Sequence, residues 1–161
     1  MRKRRLGKRE LARPFPLSDK LEAIEIDSLR EAMQSLFDGY LRGVMELDFS
    51  PFTSGSISIN TERFAFILRT VAKCADEKMI PHLAVYEEHG RLVFKISPYP
   101  NDSLELRLLL SEEAEAGGFG IYAAEDGFFL TAEIMGGVRT RFYAKSPRDI
   151  ENTLRRVFFA E

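Results

Sequence analysis

Tryptophan is absent from the 161 residues, and cysteine occurs once, as Cys74. A single cysteine excludes an internal disulfide and suits a reducing compartment. No apolar run approaches the roughly 20 residues that cross a bilayer as a helix. The basic residues at the start are not followed by an apolar stretch, so no secretory leader is expected and the expected location is cytoplasmic. The sequence has no P-loop, no serine-hydrolase elbow, no paired Cys-x-x-Cys and no His-Glu-x-x-His. Its two histidines, His82 and His89, lie at opposite ends of a predicted strand with no cysteine nearby. Zinc needs three or four converging ligands, so both read as edge or loop residues.

What is present fits one globular domain with its own core. Hydrophobic residues make up 45% and charged residues 30%, which is ordinary for a folded chain, and phenylalanine is abundant at 13. The net charge of −2 hides an asymmetry. Arg2, Lys3, Arg4, Arg5, Lys8, Arg9 and Arg13 face a single acid, Glu10, before Pro14. A basic arm therefore precedes an acidic body. Residues 1–16 read as a disordered, solvated tail and residues 17–161 as the domain. Such an arm is also suited to nucleic acid or an anionic surface, although no aromatic residue is interleaved for base stacking.

Leu29, Met33, Leu36, Phe37, Tyr40, Leu41 and Val44 recur at helical spacing. Ser18 and Ser28 are both candidates to cap this helix, Ser28 with Glu31 has the spacing of a capping box, and the helix is predicted to run to about Gly43. Met45–Phe49 and Ser56–Ile59 read as short strands. Asn60 stands where an N-cap belongs, ahead of a second helix with Phe64, Ile67, Leu68, Val71 and Ala75 on one face. Leu83–Tyr86 and Leu92–Ile96 form a hairpin about Gly90. Leu104, Leu106, Leu108 and Leu110 alternate like a strand, but the Glu- and Ala-rich sequel closed by Gly117–Gly118 reads as a helix. Phe119–Ala123 and Phe128–Met135 are strands about Glu125–Asp126–Gly127. Val138–Ala144 reads as a last strand. Ser146–Pro147 starts a last helix that buries Ile150, Leu154, Val157 and Phe158.

Few residues stand out as chemistry. Lys73 would lower the pKa of Cys74 if the side chains met, but adjacent helical positions diverge. The acid pairs Glu87–Glu88, Glu112–Glu113 and Glu125–Asp126 offer acid–base work in principle, yet each falls on a predicted turn or helix surface and reads as solvated. Arg139 and Arg141 share a strand face, with Arg148 close in sequence, and would suit a phosphate or carboxylate. Pairing with acids on an exposed face is the plainer use.

One stretch carries a resemblance. Asn60 to Ala75 reads NTERFAFILRTVAKCA, which resembles the first long helix of the ATPase domain of sensor histidine kinases, the GHKL or Bergerat fold. Asn60 stands for that family's acid, Arg63 and Phe64 match its Arg–apolar pair, and Leu68, Val71, Ala72 and Ala75 keep register. Thr70 falls at the family's first asparagine. Cys74 falls at the second, which in the family holds the magnesium ion of ATP. The resemblance then implies a hairpin at His82–Ile96. Ser97–Pro98–Tyr99–Pro100 replaces the family's Asp-x-Gly-x-Gly box. Ser103–Leu104–Glu105–Leu106 replaces its Gly-Leu-Gly-Leu turn, with both glycines gone.

The resemblance covers about residues 45–135 and implies an α+β two-layer sandwich: a mixed, mostly antiparallel sheet packed on helices. The helix before it and the strand and helix after it are additions. The preceding helix takes the place of a dimerisation helix but has no histidine, so no phosphoacceptor carries over; its apolar stripe serves the core or a partner helix, as in a homodimer. The degenerate pocket would be lined by Thr70, Lys73, Cys74 and Ser103. Cys74 is a poor magnesium ligand and Glu105 would repel phosphate, so neither ATP nor magnesium is expected unless the pocket still binds. The resemblance thus implies a non-catalytic regulatory or signalling module acting through a protein partner. A divergent binder or enzyme of another small ligand in the same pocket, and a nucleic-acid-associated protein using the basic arm, are the alternatives.

Overall fold

A computed structural model describes residues 12–50, 55–76, 78–98, 103–136 and 145–161. The expected strand Val138–Ala144, with Arg139 and Arg141, lies outside the described residues, as do Arg2, Lys3, Arg4, Arg5, Lys8 and Arg9 of the basic arm. The elements run β1 (Glu22–Glu25), α1 (Ile26–Tyr40), β2 (Glu46–Phe49), β3 (Ser56–Ile59), α2 (Thr61–Cys74), β4 (His82–Glu88), β5 (Arg91–Ser97), α3 (Leu104–Ala116), β6 (Gly120–Ala123), β7 (Phe128–Glu133) and α4 (Pro147–Phe158). The main sheet has the order β2-β4-β5-β7-β6, and β1 pairs with β3 in a second, two-stranded sheet. The β2–β4 pair is parallel and the remaining pairs of the main sheet are antiparallel. This is the expected α+β class, a mixed sheet covered by helices.

Alternation in the strands decides which face is covered. Leu83 stands opposite Ile96, and Val85 opposite Phe94; Phe94 and Ile96 in turn meet Leu130 and Phe128. All six are buried. Residues of the other parity, among them Ala84, Tyr86, Lys95 and Phe129, lie on the opposite, more open face. Phe64 of α2 stacks its ring 5.1 Å from Phe94 and 5.6 Å from Phe119, fixing the helix layer to the sheet.

The ambiguous leucines form α3. Positions i and i+4 fit both a two-residue and a 3.6-residue period, and here the helix wins. Leu106 and Leu110 are buried on one side, while Leu104 and Leu108 are exposed on the other. Ser103 caps the start by accepting the Leu106 N–H at 3.1 Å. At the far end Gly118 has φ +85°, and a Cβ there would meet Ser58 O at 2.9 Å. Glycine is required at that position by both conformation and space.

The first helix corrects one expectation, its start. It starts at Ile26, two residues before Ser28, and Glu25 at its N-cap makes no side-chain bond. The chain instead runs straight out of β1, and Gly55 O accepts the Ile26 N–H at 3.0 Å. The helix is also part of the packed domain. Its apolar stripe, Leu29, Met33, Leu36 and Phe37, is buried against the shared core, and α4 packs beside it and beside α2. Arg13 and Phe15, counted with the arm on composition, also contact the body: Arg13 bonds Glu113, and Phe15 packs against the core.

Candidate functional site

The residues singled out by the resemblance fall mainly on α2, and α2 is buried around most of its circumference. Eleven of its 14 residues are buried. Asn60 caps it, accepting the Arg63 N–H at 3.0 Å. The Asn60 amide nitrogen donates to Ser18 O at 2.7 Å and to Lys20 O at 3.0 Å. One side chain thus starts the helix and anchors the segment before β1.

Arg63 continues that anchor. Its Nε donates to Ser18 O at 3.1 Å, one terminal nitrogen bonds Glu113 Oε2 at 2.9 Å, and the other pairs with Asp19. Glu113 projects from α3, is 1% exposed, and takes a second partner: Arg13 Nε donates to its Oε1 at 2.8 Å. This overturns the solvated reading of Glu113. Its neighbour Glu112 is exposed, as are Glu87, Glu88, Glu125 and Asp126. A carboxylate this deep is tolerated because two guanidinium groups and their hydrogen bonds replace water. Glu62, next along α2, accepts the Ser18 N–H at 2.7 Å and an Arg156 N–H at 2.6 Å. Burial pushes the Glu62 carboxyl up, but the Ser18 and Arg156 bonds, with the charges of Arg156 and Lys145, outweigh it and hold the pKa below its ordinary value.

The C-terminal half of α2 carries the carried-over positions. Thr70 is 2% exposed, and its hydroxyl donates back to Phe66 O at 2.8 Å. Cys74, one turn on, is 2% exposed. The two share a helix face, as their spacing demands. Lys73 is half-buried in the last turn. Ser103 stands apart on α3, with its hydroxyl committed to the cap, and Glu105 follows in the first turn. Arg148 is exposed in the first turn of α4. His82 and His89 lie at the strand and turn positions expected, with His82 Nδ1 3.5 Å from Glu46 Oε2.

Neither of two clefts lined by described residues is lined by Thr70, Lys73, Cys74 or Ser103. One, about 470 Å³, lies between α3 (Arg107, Ser111) and the β6–β7 hairpin. The other, about 500 Å³, lies between α1 and β2 and reaches His82. Among the described residues no group of three or more His, Cys, Asp or Glu is placed to hold a metal ion, and no helix is long and apolar enough to cross a membrane. Sequence reasoning missed the Arg63–Glu113 pair. Its signal was the spacing Leu106, Leu110, Glu113, which puts the acid on the buried face of α3.

No protein-family model matches the chain, and no curated protein matches it. Solved structures similar to it are of histidine kinases. The cytoplasmic segment of histidine kinase QseC is 8% identical, with 73% of this chain and 79% of that chain covered at a TM-score of 0.42. Histidine kinase AdeS of Acinetobacter baumannii is 13% identical, with 80% and 75% covered at 0.45. The catalytic domain of histidine kinase ThkA is 13% identical, with 71% and 96% covered at 0.44.

Proposed function

We propose that the chain is a non-catalytic regulatory or signalling module that acts through protein contacts, built on a degenerate histidine-kinase-like ATPase scaffold. The observation that carries this reading is the use made of Thr70 and Cys74. Both are 2% exposed, and the Thr70 hydroxyl is spent inside its own helix. Magnesium takes hard oxygen donors and keeps several waters. A buried thiol supplies neither oxygen nor access, so these side chains do not fit Mg-ATP.

The start of α3 supports the same reading. A helix N-terminus favours negative charge and is a natural phosphate seat. Here Glu105 supplies that charge from the first turn, and the Ser103 hydroxyl occupies the Leu106 N–H. A phosphate at this end would meet a carboxylate where it needs free N–H groups.

Calorimetric titration with Mg-ATP tests the proposal. No measurable heat of binding and no ATP hydrolysis are expected. Micromolar affinity would overturn it.

A further inference from the structure

We propose that the cleft between α1 and β2 is a docking groove for an extended peptide of a partner protein, one that alternates basic with apolar side chains and pairs along the outer edge of β2. This deepens the reading above and rests on it for the claim that protein contact is the chain's business.

The backbone geometry comes first. Among the described residues, strand β2 is the end strand of the main sheet and pairs with β4 alone. The Glu46 N–H donates to Pro81 O and the Ser50 N–H to Val85 O, both at 2.9 Å. Residues of that parity point their backbone groups at β4. Those of the other parity, Leu47 and Phe49, therefore turn their N–H and C=O groups outward, away from the sheet. An open edge of this kind is a template for an added strand.

The surroundings supply a groove. Leu47 and Phe49 line the cleft of about 500 Å³, together with Phe37, Met45, Gln34 and Asp38. Phe37, Met45 and Phe49 are buried and form its apolar floor. Gln34 and Asp38, exposed on α1, form the opposite wall. The strand spans four residues, about 13 Å at about 3.3 Å per residue, which suits a short extended segment.

Charge selects the occupant. Glu46 and Asp48 alternate with Leu47 and Phe49, project to the open face of the sheet, and are exposed. A second copy of β2 laid antiparallel along this edge would set acids against acids, which is unfavourable in cross-strand pairs. A strand with lysine or arginine beside Glu46 and Asp48 meets opposite charges, and its other side chains then turn to the apolar floor. Asp38 adds a further carboxylate to the rim, which also carries Arg42.

The test uses the whole chain and hydrogen exchange read by NMR, with a blocked Lys-Val-Lys-Val-Lys-Val peptide as probe at up to about 1 mM. The expected result is slowed exchange at the Leu47 and Phe49 amides. A Glu-Val repeat, and a Lys-Val repeat N-methylated at alternate residues, should have no such effect. Asp48→Lys, at an exposed position, should weaken the basic peptide about tenfold and admit the acidic one. Leu47→Pro should remove the effect, and Asp48→Lys decides the matter if that variant does not fold. Unchanged exchange at Leu47 and Phe49, equal response to both charge types, or protection at the β6 edge instead would overturn the proposal. Mg-ATP binding without loss of this protection would sink the non-catalytic reading and leave the groove standing.

Discussion

At the N-terminal end of α2, Asn60 and Arg63 bond chain segments 40 or more residues away in sequence; in its C-terminal half, Thr70 bonds one turn back to Phe66. The first end joins elements. In the second half Arg69 donates to Val157 O of α4 at 3.2 Å, while the Thr70 hydroxyl stays within its own helix. The resemblance to the histidine-kinase ATPase domain keeps Arg63 and loses the asparagines at Thr70 and Cys74. On the proposed reading the helix keeps its packing role at Arg63, while the side chains at Thr70 and Cys74 do not suit a magnesium ion.

The sharpest way to break this comparison is at Glu113. Glu113→Ala should cost about 3–5 kcal/mol, because Arg63 is left buried with Asp19 as its remaining carboxylate partner. Urea denaturation would read the loss as a lower midpoint. A cost near that of a surface change would show that the N-terminal end is not a clamp. Asn60→Ala comes next. It removes the cap and two bonds to carbonyls of the preceding segment, for about 2 kcal/mol.

Thr70→Val probes the other end. It keeps the shape and removes a hydroxyl whose partner lies in the same helix, so the expected change is below about 1 kcal/mol. A larger loss, seen in the same denaturation series, would erase the contrast. Smallest in effect is the pH response of Glu62. Its folded pKa is held below the ordinary glutamate value of 4.5. It therefore contributes stability that is present above that value and is lost as pH falls through the folded pKa. Glu62→Gln should flatten the acid side of the stability profile below about pH 4.5 and leave its neutral part unchanged in slope.

Much of the fold was legible because its signals are local. Asn60 and Ser146 cap helices where their spacing predicts, and the strands of the hairpins appear about Gly90 and Gly127. The α1 start was not legible, since a tertiary bond from Ile26 to Gly55 takes the place of a local cap. Strand β1 was missed for a similar reason. It is four residues long, buries one strongly apolar side chain, Ile24, and exists by pairing with β3. Glu113 shows a different limit. Its burial follows from its helical phase, but its tolerance depends on Arg13 and Arg63, which only the tertiary structure brings to it. The positions of Thr70 and Cys74 came from the resemblance; their burial came from the packing of the helices and sheet around α2.

The account turns on whether an ATP-bound metal can reach the C-terminal half of α2. Manganese, which takes the same oxygen ligands as magnesium, broadens nearby NMR signals when it is bound. With Mn-ATP added to the labelled chain, the resonances of Thr70, Lys73 and Cys74 should be no more broadened than those of Ile57 or Phe94. Selective loss of the Thr70 and Cys74 signals, reversed by excess Mg-ATP, would contradict it.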